Sequence, residues 1–145
     1  MREYVQGSEG KIAFDIAYSE SGVHDKLVLM IPGVSGASTA GYCLEAVFQL
    51  KKRGFTVVVI NHIAPRDGEN ELRLLDFSNP AVLKEAIVHL KQKFGQDSKT
   101  LGVGFSMGGN HLLRYLGDYK SSAGESGIHA AMTIGNPFDV LATGL

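Results

Sequence analysis

The sequence predicts an α/β fold: a doubly wound, mostly parallel sheet with helices on both faces. Two observations carry this. Short apolar runs rich in β-branched residues alternate with stretches of helical periodicity, the pattern of strand–helix–strand units. The runs Lys26–Ile31, Phe55–Ile60, Thr100–Phe105 and Ile128–Gly135 are apolar almost throughout rather than at every second residue, as strands covered on both faces require. A third observation adds chemistry, because Gly104-Phe105-Ser106-Met107-Gly108 sets a serine between two glycines where the third run gives way to a helical pattern.

Taken in order, Tyr4 to Ser19 alternates loosely, with Ile12, Phe14, Ile16 and Tyr18 on one face after a turn at Gly10-Lys11, which suits an antiparallel hairpin at a sheet edge. Lys26–Ile31 reads as a central strand. The glycine-containing loop Pro32–Ser38 then leads to a helical pattern carried by Tyr42, Ala46, Val47 and Leu50 that stops at Gly54. Phe55–Ile60 is a further buried strand. From Asn61 to Asn79 the chain carries Pro65, an Asp67-Gly68 turn and several acids, and reads as a long exposed loop.

Asn79 is a good N-cap and Pro80 a good first helical residue. Val82, Leu83, Ala86, Ile87, Leu90 and Phe94 then recur at helical spacing until Gly95. Thr100–Phe105 reads as a buried strand and His111–Leu116 as a helix with a glycine stop at Gly117. Asp118 to Gly127 is a polar connection, Ile128–Gly135 a fourth buried strand, and Asn136-Pro137-Phe138-Asp139 follows it.

The chain has 145 residues, enough for one domain with its own core, and no repeat divides it. Its formal net charge is −1. The lysines and arginines are scattered apart from Lys51-Lys52-Arg53, where they complement a helix dipole, so no nucleic-acid footprint is present. A lone cysteine, Cys43, makes no internal disulfide and suits a small core position, pointing to a reducing compartment. The opening Met-Arg-Glu-Tyr lacks the apolar stretch of a secretion signal, and no apolar run is long enough to span a bilayer. A cytoplasmic location is expected.

The glycine-flanked serine has the form of a nucleophile elbow. At the apex of a sharp strand-to-helix turn, side chains on the flanks would strike neighbouring backbone, and Gly104 and Gly108 remove them. Ser106 is then the candidate nucleophile, and the Met107 amide at the first helical turn points toward the oxygen that becomes negative. The loop after Ile31 lacks the Gly-Lys-Ser/Thr ending of a P-loop and the G-x-G-x-x-G spacing of a dinucleotide fold. It is either a simple strand-to-helix connection or the source of a second oxyanion donor, the Val34 amide.

None of the histidines is well placed as the base. His111 lies five helical positions beyond Ser106, about 7.5 Å along the axis and roughly 140° around it. His62 is separated from the elbow by a strand, a distance on the order of 10 Å, and is expected to hold its loop. His24, His89 and His129 fall in a surface turn, a covering helix and a strand. Asp139 is placed to cap a following helix, with the triad acid as the competing role.

The stretches Pro32-Gly33-Val34-Ser35-Gly36, Asn61-His62, Gly104–Asn110 and Asn136-Pro137-Phe138-Asp139, in that order, resemble the alpha/beta-hydrolase superfamily. More narrowly the chain is similar to the branch of YheT-like bacterial hydrolases and eukaryotic abhydrolase-domain lipases. The resemblance implies a serine ester hydrolase acting on short- to medium-chain acyl esters or glycerolipids through an acyl-serine intermediate, without cofactor or metal. It carries over Ser106 as nucleophile and Val34 with Met107 as oxyanion donors.

In that branch the acid and the histidine of the triad follow further strands and a lid, so the resemblance makes residues 1–145 a single incomplete domain that holds neither. An upstream membrane anchor, frequent in eukaryotic relatives, would give the full-length member membrane association. Where the branch continues its Asn-His with an arginine and a glycine-rich turn, Ile63-Ala64-Pro65-Arg66-Asp67-Gly68 stands instead. The reading from a different class is a catalytically inactive remnant that binds ligands or proteins, associating through an exposed sheet edge.

Overall fold

A computed structural model of the chain describes residues 1–8, 10–34, 36–63, 79–118 and 126–139, with the side chains of residues 62 and 63 left aside. In chain order the elements are β1 (Arg2–Gly7), β2 (Gly10–Ala17), β3 (Lys26–Ile31), α1 (Gly41–Lys52), β4 (Thr56–Ile63), α2 (Ala81–Phe94), β5 (Lys99–Phe105), α3 (Met107–Asp118) and β6 (Ala130–Ile134). Among the described residues the strands form one sheet in the order β1-β2-β4-β3-β5-β6. β1 and β2 pair antiparallel, β2 runs antiparallel to β4, and the β4–β3, β3–β5 and β5–β6 pairs are parallel.

The two-residue period of β3 sorts its apolar run onto two faces. Leu27, Leu29 and Ile31 join Phe14, Ile60, the α2 residues Leu83 and Leu90, and the α3 residues Leu112 and Tyr115 in one cluster. Val28 and Met30 join Val57, Val59 and the α1 residues Cys43, Ala46, Val47 and Leu50 on the other. Among the described residues α1 covers one face and α2 and α3 the opposite face, which makes the sheet doubly wound. Cys43 is fully buried in its cluster, and that burial pushes its thiol pKa up.

Helix boundaries follow the expected signals in most places. α2 starts one residue later than expected, at Ala81: Pro80 occupies the N-cap position, and Asn79 before it accepts a hydrogen bond from the Ala81 amide through its Oδ1 at 3.0 Å. Gly95 closes α2 at φ 99°. α1 carries Lys51 and Lys52 in its last turn.

Four further features differ from the sequence-based expectation. Gly7 pairs with Gly10, so Gly10 already stands in β2, at φ 135°, rather than forming the turn. β4 continues through Asn61 and His62 to Ile63, because Ile63 finds a partner in Ile12 across an irregular register; the rest of the stretch expected as an exposed loop, residues 64–78, lies outside the described residues. α3 runs through Gly117 to Asp118, since an exposed glycine in a last helical turn weakens the helix without ending it.

The fourth difference concerns β6. It was expected to be buried, yet Met132 is 60% exposed and Ile134 41%. β6 pairs only with β5 among the described residues and forms the sheet edge there, with none of its residues in either core cluster. The apolar run records a strand suited to cover on both faces, and among the described residues only α3 approaches it, where Gly109 lies against Thr133.

Candidate active site

β5 ends at Phe105 and α3 begins at Met107, leaving Ser106 alone at the junction. Its φ is +49°, and among the described residues it is the one non-glycine position with a positive φ. A serine has no intrinsic reason to sit there, so the surrounding backbone imposes the turn. The Ser106 amide donates to the Ile134 carbonyl at 2.9 Å, extending the β5–β6 ladder, while its carbonyl accepts from the Gly109 amide at 2.9 Å and opens α3.

The flanking glycines are required by close approach. A Cβ on Gly104 would lie 2.5 Å from the Gly109 Cα, and one on Gly108 would lie 2.3 Å from the Ile31 carbonyl oxygen and 2.4 Å from that of Pro32. The first turn of α3 thus rests directly on the end of β3. Gly33 belongs to the same contact, since its Cβ would lie 3.1 Å from that of Ser106.

These approaches frame an open cleft of about 630 Å³ at the carboxyl ends of β3 and β5, bordered by Gly33, Val34, Tyr42, Phe105, Ser106, Met107 and Ile134 among others. Ser106, Val34 and Met107, singled out in the sequence, therefore meet at one place. Apart from the serine hydroxyl and the Tyr42 phenol, the named side chains lining it are apolar.

Tyr42 was read from sequence as a helix-face residue and belongs instead to the cleft. Its ring lies 4.7 Å from that of Phe105, its Oη accepts from the Gly33 amide at 3.4 Å, and burial raises its pKa, which keeps the phenol protonated. The signal was its place at the first turn of the helix after the loop. A helix start there lies on the same rim of a parallel sheet as the elbow.

The histidines stand elsewhere. His111 is fully buried and its Nε2 lies 3.0 Å from the Asn79 carbonyl, linking α3 to the start of α2. His24 bonds Thr56 Oγ1 at 2.9 Å, His89 stacks on Phe14 at 5.7 Å, and His129 Nδ1 accepts from the Thr100 amide at 3.2 Å. None of these four borders the cleft. The backbone of His62 falls in β4, and its side chain is outside the described residues. Asp139 is exposed, and the helix it was expected to cap lies beyond the described residues. The Asn110 side chain donates to the Pro137 carbonyl at 3.1 Å, tying the elbow helix to the segment after β6.

A second polar cluster lies beside the loop after β3. Arg2 donates to both Asp15 carboxylate oxygens, at 2.8 and 2.7 Å, and Ser38 Oγ and Asn61 Nδ2 donate to the same carboxylate, the latter at 2.9 Å. The Arg2 bonds hold the Asp15 pKa at about 2 against an ordinary 3.8; burial opposes the shift, and Ser38 and Asn61 add to it.

A carboxyl whose pKa falls on folding stabilises the fold above its unfolded value, and that stability is lost as pH drops from about 4 to about 2. Asp15→Asn is expected to flatten this part of the acid-unfolding curve, followed by circular dichroism in small pH steps. An unchanged acid limb would contradict the assigned coupling.

Among the described residues no helix is long and apolar enough to cross a membrane. A family model described as alpha/beta hydrolase fold matches residues 26–143. The chain is 27% identical over 129 residues to monoacylglycerol lipase ABHD2 of Danio rerio, covering 84% of this chain and 29% of that protein. It is 36% identical over 92 residues to phospholipase ABHD3 of Bos taurus, covering 62% of this chain and 22% of the relative.

Among solved structures, the esterase Pf2001 of Pyrococcus furiosus superposes with a TM-score of 0.76 at 20% identity, over 99% of this chain and 51% of that one. The chain thus spans about a quarter of the length of the curated relatives it matches.

Proposed function

Because the chain belongs to the alpha/beta-hydrolase family, we propose that it carries the nucleophile and oxyanion hole of a serine ester hydrolase acting on short- to medium-chain acyl esters or glycerolipids. The observation that supports this most is Ser106 at φ +49° on the wall of an apolar cleft of about 630 Å³. A hydroxyl held in an unfavourable turn beside such a cleft has a chemical reason to be there. The names of the relatives, one a monoacylglycerol lipase and one a phospholipase, support an acyl ester of glycerol as the substrate class.

In the proposed reaction Ser106 Oγ attacks the ester carbonyl while a general base removes its proton. The tetrahedral oxyanion accepts hydrogen bonds from the Met107 and Val34 amides, the alcohol departs with the proton returned by the base, and water then releases the acid from the acyl-serine. The positions of His24, His89, His111 and His129 away from the cleft support a catalytic histidine contributed by polypeptide outside residues 1–145, with these residues as one incomplete domain of a longer protein. The exposed apolar side chains of Met132 and Ile134 in β6 and of Phe138 just after it would then be covered by that polypeptide.

The test is hydrolysis of p-nitrophenyl acetate, butyrate, octanoate and palmitate, and of monoacylglycerols, by the full natural gene product. Turnover of the butyrate and octanoate esters ahead of the palmitate is expected. Saturable acyl-ligand binding with no turnover of any ester would support instead an inactive binding remnant, its exposed sheet edge free to associate.

A further inference from the structure

We infer that Asp15 and Asn61 are positioning residues, which clamp the loop after β3 so that the Val34 amide keeps its place beside Ser106; the inference rests on the serine-hydrolase reading above. Among its described residues the loop has little backbone bonding of its own, a Gly36 amide to Gly33 carbonyl bond and an Ala40 amide to Ala37 carbonyl bond, both at 2.9 Å. An oxyanion donor on so short a support is useful only if the support is rigid.

The rigidity comes from the sheet. Ser38 is held twice, its amide donating to Asn61 Oδ1 at 2.9 Å and its hydroxyl donating to Asp15 Oδ2. Asn61 Nδ2 donates to that same Oδ2 at 2.9 Å, closing a ring of three residues, and Arg2 fixes the carboxylate from β1. The loop is therefore bonded to β2 and β4, which are hydrogen-bonded to each other, and β4 in turn to β3. At its other end the Gly33 amide bonds Tyr42 Oη while Gly33 itself lies against Ser106. Val34 lies between the two fixed points.

Asn61 is 6% exposed in a strand whose preceding residues are Val57, Val58, Val59 and Ile60. A buried amide costs stability unless bonded, and an apolar side chain there would serve the sheet as well or better. Both ends of this amide are instead spent on the clamp. The arrangement fits a role in orienting the loop rather than in holding the sheet together.

The test uses the full natural gene product and its Ser38→Ala, Ser38→Thr and Asn61→Ala variants. Ester kcat and KM are measured with the rate of Ser106 labelling by a fluorophosphonate, each well below the melting temperature of the variant. Ser38→Ala is expected to lower kcat and labelling about tenfold and Asn61→Ala about a hundredfold, with KM within about twofold of the parent and Ser38→Thr restoring the rate.

Unchanged kcat in folded Ser38→Ala, or a loss that falls on KM instead, overturns the inference. Should Asn61→Ala fail to fold, the Ser38 pair decides. A parent protein that never labels at Ser106 overturns the hydrolase reading itself; a parent that labels, with variants that match it, overturns only the clamp.

Discussion

Ser106→Ala is expected to lower ester kcat in the full natural gene product by roughly a million-fold, leaving only what binding and the oxyanion amides contribute without a nucleophile. Substrate affinity should change little, because the hydroxyl adds small ground-state contact. The same position offers a stability readout independent of chemistry. Alanine keeps the unfavourable φ of +49°, whereas glycine adopts it freely, so Ser106→Gly is expected to be about 1 kcal/mol more stable than Ser106→Ala. Urea denaturation of the two variants measures the difference. Equal midpoints would mean that the turn is not strained.

The largest structural loss is expected from Gly108→Ala. The new methyl would lie 2.3 Å from the Ile31 carbonyl oxygen and 2.4 Å from the Pro32 carbonyl oxygen, and both are backbone atoms at the end of a central strand. No rotamer change relieves such a contact; α3 must move away from β3. Overpacking against mobile side chains costs about 1–3 kcal/mol, and a clash with fixed backbone belongs at or above the top of that range. With total stabilities of roughly 5–15 kcal/mol, much of the protein would unfold or fail to accumulate in soluble form. A Gly108→Ala protein that unfolds at the parental urea midpoint would contradict the close approach of α3 to β3.

The parts of this fold that were legible in the sequence are those written in a strong local signal. β3 and β4 announce themselves because a strand covered on both faces must be apolar at nearly every position. α2 is framed, to within one residue at its start, by Asn79-Pro80 and Gly95, whose signals are local backbone chemistry. The elbow was legible for the same reason, since its glycines answer a steric demand that few other sequences satisfy.

What escaped was decided by partners distant in sequence. β6 has the composition of a covered strand, and its exposure follows from which elements stand beside it, a property that composition does not carry. β4 extends to Ile63 because Ile12 pairs with it, 51 positions earlier in the chain. Tyr42 looked like any helix-face aromatic until the parallel topology set the start of α1 on the rim beside Phe105. The ring of Asp15, Ser38 and Asn61 unites residues from β2, a loop and β4, and no spacing rule in the sequence would have grouped them.

The central claim, that Ser106 is a nucleophile and not merely a strained turn residue, is tested most directly by treating the full natural gene product with a fluorophosphonate and mapping the modified peptide by mass spectrometry. The account predicts one stoichiometric adduct on Ser106, absent from Ser106→Ala and prevented by prior incubation with an ester substrate. An adduct on another residue, or none on folded protein, would contradict it.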